Sequence, residues 1–276
     1  MKKKLYKLKV FLTIVYRKYY QSFYLIAFKR KLTSYKNKVD LVKNEFEKFY
    51  IDIGPEHGIL QGFEYEGAST HCTQCLYTLT RLTSSKNVLE IGSYRYRTTN
   101  QIAKAIQETH GLNSNGNVVT FDVIKGGYDA GTGYEISSPI INANFWYPYK
   151  TVDTEKLDNT KFVFDNSQYS NKELVKLNKN ILKEICLDLK IKYFDLVFID
   201  GDHTTEGIQN DFEVISEFAN RDTLIVVDNI WDSRLVEVKE FFDQQNYIKW
   251  NFKEFNDKYF SKNKVQDTGV LILEKA

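Results

Sequence analysis

From about residue 70 onward, short apolar, β-branched runs alternate with longer stretches of helical periodicity. This alternation is typical of a parallel β-sheet that is covered by helices on both faces. The predicted strands are 87–92, 117–122, 161–165, 194–200, 223–228, 247–252 and 269–274, and the predicted helices are 70–82, 98–109, 172–189, 205–219 and 234–245. The sequence therefore predicts a doubly wound, mostly parallel α/β sheet of seven strands.

Five of these strands end in, or run directly into, an acidic residue or a glycine. Ligands of open α/β sheets bind outside the carboxyl ends of the strands, so these ends form a row of candidate site residues. The stretch 124–151 interrupts the alternation, since it has four Gly, two Pro and no helical period. Loops of this length are usually lids or binding loops, and we predict a lid. An Ω-loop packed by its own aromatic side chains is the alternative.

The net charge of +2 conceals a strong asymmetry between the two parts of the chain. Residues 1–40 carry twelve Lys or Arg and one acid, whereas the remaining 236 residues carry 26 basic and 35 acidic side chains. An acidic body disfavours a nucleic-acid partner, because such proteins usually carry a positive field on the folded domain. We predict a basic, aromatic-rich helical extension over 1–45 and one domain over 46–276.

Lys9 and the pair Arg17-Lys18 break the apolar run of the extension. The breaks argue against a secretory signal and against a spanning helix. Two interpretations stay open: residues 1–32 lie on an anionic membrane surface, or they pack on the body or on a second subunit as a dimer arm. Three Cys do not form a disulfide framework and fit a reducing cytoplasm, with peripheral contact at the inner membrane face if the first interpretation holds.

Two strand ends carry residues suited to a nucleotide-like cofactor. Glu90 and Gly92 close the first strand, and the helix predicted from Thr98 would present its backbone N–H groups to a ligand. Asp122 closes the second strand, where a carboxylate commonly accepts hydrogen bonds from a ribose. The segment 92–97 lacks the glycine pattern of NAD-dependent oxidoreductases, which argues against that class.

With these and three further stretches, the sequence resembles the class I S-adenosylmethionine-dependent methyltransferases. It is most similar to the metal-dependent small-molecule O-methyltransferases of the catechol and caffeoyl-coenzyme A types and to their bacterial sugar, macrolide and cephalosporin-pathway relatives. The resemblance spans about residues 65–275 and rests on VLEIGSY (88–94) with Thr98, TFD (120–122), NSQ (166–168), FDLVFIDGDH (194–203) and VDNIW (227–231). It implies a Rossmann-like methyltransferase fold in which the last strand is antiparallel.

The resemblance implies that S-adenosylmethionine is the cofactor and that its methyl group passes to a hydroxyl of a small molecule or a glycan. The implied cofactor contacts are Glu90, Gly92, Ser93, Thr98, Asp122, Ser167, Gln168, Asp200 and His203. In the family, the first-strand Glu and Gly lie at the methionine end, the second-strand acid on the ribose, and the Ser-Gln pair beside adenine.

The metal-dependent branch implies that Asp200, Asp228 and Asn229 bind Mg²⁺ or another divalent cation, with Asp202 as a competing ligand. Hard oxygen ligands of this kind suit Mg²⁺. The alternative is that these residues are ordinary turn residues, because turns at strand ends favour Asp and Asn. His203 stands where related enzymes carry a lysine base. We therefore predict catalytic roles for His203 and Asp200, while a cofactor contact or a ligand-orienting role for His203 stays open.

Trp231 and Asp232 are predicted to line the acceptor site, although a tryptophan packed beneath the lid explains Trp231 equally well. The cluster His71-Cys72-x-x-Cys75 suggests zinc, but a single Cys pair at the start of a helix favours a packed helix face. Tyr96 replaces a glycine of the family's first loop. That departure motivates the alternative of a non-catalytic, methyltransferase-like domain that binds a membrane surface or a partner.

Overall fold

The computed structural model describes residues 39–40, 42–46, 70–92, 97–110, 116–121, 170–201, 204–228, 230, 232–251 and 271–275. The described helices are α1 (Thr70–Leu82), α2 (Arg97–His110), α3 (Asn171–Leu189), α4 (Thr205–Ile215) and α5 (Asp232–Gln244). The described strands are β1 (Asn87–Ile91), β2 (Asn117–Phe121), β3 (Leu196–Ile199), β4 (Leu224–Val227), β5 (Tyr247–Asn251) and β6 (Leu271–Lys275).

The six described strands form one sheet in the order β2-β1-β3-β4-β6-β5. Strands β2, β1, β3 and β4 pair in parallel, and β6 is antiparallel to both of its neighbours. The predicted mostly parallel α/β fold and its antiparallel last strand are thus confirmed. The predicted strand at 161–165 and the predicted lid at 124–151 lie outside the described residues.

Helix α4 ends at Ile215, although its apolar pattern predicted a helix as far as residue 219. The pattern continues because Phe218, which follows in a turn, is itself buried in the core. The carbonyl of Phe218 accepts a hydrogen bond of 2.9 Å from the backbone N–H of Phe194, just before β3. The helix was therefore predicted too long because Phe218, a core residue in a turn, continues the apolar spacing of α4.

Alternate strand residues supply two separate cores, one on each face of the sheet. The first core combines strand residues such as Val88, Leu196 and Val226 with side chains from α1 and α2. The second core packs the intervening strand residues against α3, α4 and α5. The period of two along each strand sends neighbouring side chains to opposite faces, as a doubly wound sheet requires.

Helices α1 and α2 are tied together beside the first core. The Tyr77 hydroxyl donates a hydrogen bond to the Glu108 carboxylate, and Arg81 Nη1 lies 3.0 Å from both the Tyr77 hydroxyl and Glu108 Oε2. Burial raises the pKa of the Tyr77 phenol well above its usual value, so this proton stays in place at neutral pH. The cluster fixes α2, which begins at the candidate site.

Residues 39–40 and 42–46 are helical, and their apolar side chains belong to the first core. Phe46 meets Trp250 edge-on with ring centroids 5.6 Å apart, and the Val39 N–H donates a 2.7 Å hydrogen bond to Glu274 Oε2. The predicted domain boundary at residue 45 falls within this segment, while residues 1–38 lie outside the described part. Every helix in the described part is too short or too polar to cross a lipid bilayer.

Candidate active site at the carboxyl edge of the sheet

The register brings the ends of four parallel strands to one level. Ile91 pairs with both Phe121 and Ile199, and Ile199 pairs with Val227. The residues that follow β1, β3 and β4 therefore form one row, which consists of Gly92, Asp200 and Asp228. Asp122 lies outside the described residues. The other three confirm that the strand-end residues picked out in the sequence meet at one edge.

Backbone hydrogen bonds carry the pairing into this row. The N–H groups of Gly92 and Asp200 donate to the carbonyls of Phe121 and Ile91 at 2.8 Å, and that of Asp228 donates to Ile199 at 3.0 Å. The backbone of the row is consequently fixed by the sheet itself. Sites built on such rigid elements hold their geometry more closely than sites built on loops.

Gly92 has a φ of +92° and lies directly against the end of β3. A Cβ atom at this position would stand 2.0 Å from the Asp200 carbonyl oxygen and 2.5 Å from its carbonyl carbon. Glycine is the residue that tolerates both the positive φ and the close backbone approach. The predicted importance of this position thus has a structural reason of its own, independent of any cofactor.

Glu90 is fully buried two residues before Gly92. Its Oε2 accepts a hydrogen bond of 2.7 Å from the Thr120 hydroxyl and another from the Thr99 hydroxyl. Thr120 lies beside Glu90 in the register, and Thr99 belongs to the first turn of α2. We call Glu90, Thr99 and Thr120 the Glu90 cluster; it joins β1, β2 and α2 beneath the row.

Asp200 and Asp228 follow the neighbouring strands β3 and β4. Asp200 is partly exposed, whereas Asp228 is buried. Burial raises the pKa of the Cys75 thiol well above its usual value, and the charge of Asp228 raises it further. Cys75 belongs to α1 and to the first core, so Asp228 lies near enough to α1 for its charge to act on this thiol.

Two carboxylates on neighbouring strand ends are suitable oxygen ligands for Mg²⁺, so this part of the predicted metal site fits the ion. The third predicted ligand, Asn229, lies outside the described residues. Within the described ranges, no group of three or more His, Cys, Asp or Glu side chains is arranged to hold a metal. The described carboxylates alone therefore leave the metal site a prediction.

Several further predicted residues lie outside the described part: Ser93, Ser167, Gln168, Asp202, His203 and Trp231. Thr98 is described and is buried in the first turn of α2. Asp232 begins α5, immediately after the segment that contains Trp231. His203 falls between Gly201 and Thr204, and the Thr204 side chain caps α4 by accepting a 2.9 Å hydrogen bond from the Gly207 N–H.

Sequence reasoning missed the roles of Thr99 and Thr120. A usable signal was present, because Thr120 stands between the apolar residues Val119 and Phe121 in NVVTF and a buried hydroxyl needs a partner. Cys75 is 1% exposed, which agrees with a packed helix face; the side chains of His71 and Cys72 are not described. Cys186 is buried in α3.

Comparison with protein families matches residues 89–230, just over half of the chain, to the family described as "Methyltransferase domain". The matched range begins inside β1 and ends just beyond β4, and so contains the whole row of strand ends. No curated protein matches the chain.

Solved structures with a similar fold include an O-methyltransferase from Bacillus cereus in complex with SAH. It is 17% identical, with 83% of this chain and 96% of that chain covered and a TM-score of 0.49. TomG from Streptomyces achromogenes is an O-methyltransferase of tomaymycin synthesis in complex with SAM. It is 15% identical, the match covers 79% of this chain and 87% of TomG, and the TM-score is 0.42. The SAH-bound methyltransferase PaMTH1 from Podospora anserina is 12% identical. The match covers 85% of this chain and 87% of PaMTH1, and the TM-score is 0.42. These likenesses do not decide a substrate or a cofactor.

Proposed function

The chain belongs to the methyltransferase-domain family, and from this premise we propose that it transfers a methyl group from S-adenosylmethionine to a hydroxyl of a small molecule or a sugar. The observation that carries the proposal is the row at the carboxyl edge, where Gly92, Asp200 and Asp228 follow the neighbouring strands β1, β3 and β4. Ligands of parallel α/β sheets bind at this edge.

In this proposal, the backbone around Gly92 and Ser93 and the start of α2 at Thr98 receive the methionine end of the cofactor. The N-terminus of α2 suits the cofactor's carboxylate, because unpaired backbone N–H groups and the helix dipole favour negative charge. Glu90 lies beneath this end. Asp122 accepts hydrogen bonds from the ribose hydroxyls, and Ser167 and Gln168 lie beside adenine.

For the metal-assisted form of the reaction, Asp200, Asp228 and Asn229 are the residues that would hold Mg²⁺. A bound divalent cation would lower the pKa of an acceptor hydroxyl and orient its oxygen. His203 accepts the hydroxyl proton near neutral pH, in keeping with the usual imidazole pKa. Trp231 and Asp232 contact the acceptor and align its oxygen with the methyl group, since such positioning supplies much of the rate of a displacement.

The direct test is calorimetric titration of the full chain with S-adenosylmethionine, with and without Mg²⁺. We expect micromolar affinity, equivalent to about −7 to −8 kcal/mol. Asp122→Ala should weaken binding by about 1–3 kcal/mol through loss of hydrogen bonds to a charged group. Absence of binding in both conditions would refute the proposal, and unchanged affinity in Asp122→Ala would refute the ribose assignment.

The metal assignment needs a variant that separates turnover from cofactor binding. Asp228→Ala should abolish metal-dependent methyl transfer and retain most of the affinity for S-adenosylmethionine. Asp188→Ala is the matched control, because this exposed acid lies in the last turn of α3. Full activity of Asp228→Ala, or full activity in the presence of a chelator, would contradict the metal-assisted mechanism.

A non-catalytic role remains the second candidate, since Tyr96 replaces a family glycine and residues 1–40 are strongly basic. In that case residues 1–32 bind an anionic membrane surface or a second subunit, and the protein acts at the inner membrane face. Deletion of residues 1–32 retains the packed segment 39–46 and should abolish binding to anionic vesicles. Unchanged vesicle binding would exclude the membrane role, and gel filtration of the same truncation tests the dimer.

A further inference from the structure

Each member of the Glu90 cluster lies close in sequence to a proposed cofactor contact. Glu90 precedes Gly92 by two residues, Thr120 precedes Asp122 by two residues, and Thr99 directly follows Thr98. In the proposed function, Gly92 and Thr98 serve the methionine end of the cofactor and Asp122 serves its ribose. The cluster thus joins the segments that receive two different parts of one ligand.

The cluster is built from deeply buried groups. Glu90 and Thr99 have no exposed surface, and Thr120 is 3% exposed. A carboxyl group in such surroundings requires hydrogen-bond partners, because a buried polar group without them is costly. Because both hydroxyls bind the same oxygen, Oε2, the side chain cannot follow a movement of α2 without straining its bond to β2.

Strand pairing joins β1 to β2, but it does not join either strand to the first turn of α2. Strands β1 and β2 are paired along their whole length, but α2 follows the segment 93–96 and is held at its first turn by the bond from Thr99 to Glu90. The contact with Tyr77 and Arg81 holds the last turns of α2, near Glu108. Thr99 therefore sets the position of the end that faces the site.

We propose that Thr99 and Thr120 are positioning residues for cofactor binding. Their hydroxyls fix the Glu90 carboxylate and, through it, the spacing between the first turn of α2 and the ends of β1 and β2. This inference rests on the proposed function and adds residues that the family resemblance does not imply. Neither threonine touches the cofactor; each sets the position of residues that do.

The test compares Thr99→Val and Thr120→Val with a matched threonine remote from the site. Thr223 is 1% exposed at the start of β4, and its hydroxyl donates a 2.6 Å hydrogen bond to the Phe194 carbonyl at the opposite edge of the sheet. Thr223→Val removes an equally buried hydroxyl, with its bond to Phe194 and the 2.9 Å hydrogen bond that it accepts from the Asn220 N–H, so it reports the effect of lost stability alone. Affinity for S-adenosylmethionine is measured by calorimetry, and stability by urea unfolding.

We expect each valine variant of the cluster to bind S-adenosylmethionine about tenfold more weakly, equivalent to about 1.4 kcal/mol. Thr99→Ser and Thr120→Ser should restore affinity to within about threefold of the original protein, because serine keeps the hydroxyl. The double valine variant should lose less than the product of the single losses, since both hydroxyls act on one oxygen. Thr223→Val should lower stability and leave affinity unchanged.

Valine variants that bind as tightly as the original protein would overturn this inference and leave the proposed function intact. Equal weakening by Thr99→Val and Thr223→Val would also overturn it, because the effect would then be one of general stability. An original protein that does not bind S-adenosylmethionine would refute the proposed function, and this inference with it. If Thr99→Val does not fold, Thr120→Val decides, since valine is well tolerated in strands.

Discussion

Replacement of Gly92 by alanine tests whether close contact between β1 and β3 is the feature that fixes the site. The new Cβ would lie 2.0 Å from the Asp200 carbonyl oxygen and 2.5 Å from its carbon. Both atoms belong to the backbone, so no side-chain rotation relieves the contact. The two strand ends must separate by about 1 Å or more, and close-packed interiors resist such displacements.

Two terms contribute to the expected loss of stability. A non-glycine residue at a φ of +92° costs about 1–2 kcal/mol. Separation of the ends of β1 and β3 also weakens the 2.8 Å hydrogen bond from Asp200 to Ile91, at about 1 kcal/mol. The sum is about 2–3 kcal/mol, which corresponds to roughly 4–12 °C in Tm for a domain of this size.

Urea unfolding followed by circular dichroism measures this loss, and calorimetry measures the affinity for S-adenosylmethionine. We expect Gly92→Ala to fold at low temperature with a lower unfolding midpoint and with impaired cofactor binding. A free energy of unfolding within about 1 kcal/mol of the original value would refute the reasoning, because it would mean that the strand ends adapt freely. Unchanged affinity would show that the cofactor does not depend on this contact.

Three further predictions concern positions away from the row of strand ends. Lys190 caps α3 with a φ of +56°, so Lys190→Gly should raise the free energy of unfolding by about 0.5–1 kcal/mol, and a lower urea midpoint would contradict this. Thr80 is fully buried, and its hydroxyl has no hydrogen-bond partner in the described part of the chain; Thr80→Val should therefore stabilise by about 1 kcal/mol in urea unfolding, and destabilisation would contradict this. Burial raises the pKa of the Cys186 thiol from 9.0 to about 12, so the native state retains a proton that the unfolded state loses. Stability should fall as pH rises from 9 towards 12, by at most about 1.4 kcal/mol per pH unit for this group, and less steeply in Cys186→Ala; equal slopes would contradict the assignment.

The Lys190→Gly variant also serves as a control for Gly92→Ala. It reports the cost of a non-glycine residue at positive φ in a place where no backbone contact is added. The difference between the two measured effects therefore isolates the contact with Asp200. If the two changes in the free energy of unfolding are equal in size, the positive φ alone accounts for the requirement for glycine at position 92.

The strand and helix alternation was sufficient to predict most of the described architecture. Helix α1 has the predicted bounds, and α2, α3 and α5 differ from theirs by at most two residues at either end. The predicted meeting of Gly92, Asp200 and Asp228 follows from the parallel register alone, which is why sequence reasoning found it. Long periodic segments are the features that a single sequence defines best.

Contacts between elements were beyond the reach of that reasoning. The hydrogen bond from Thr99 to Glu90 depends on how α2 docks on the sheet, and the close approach of Gly92 to Asp200 depends on the spacing of β1 and β3. Likewise, the many cations of the extension obscured Val39, Val42 and Phe46, whose spacing of three and four residues marks a buried helix face. Local sequence patterns do not report the distances between elements that are far apart in the chain.

The hydrogen bond from Val39 to Glu274 fixes the place at which the helical segment at 39–40 and 42–46 meets the sheet. Glu274 pairs with Leu224, the first residue of β4, so the chain enters the described body at the edge opposite the row of strand ends. A group joined at Val39 itself would therefore attach at the edge opposite the row of strand ends, away from Gly92, Asp200 and Asp228.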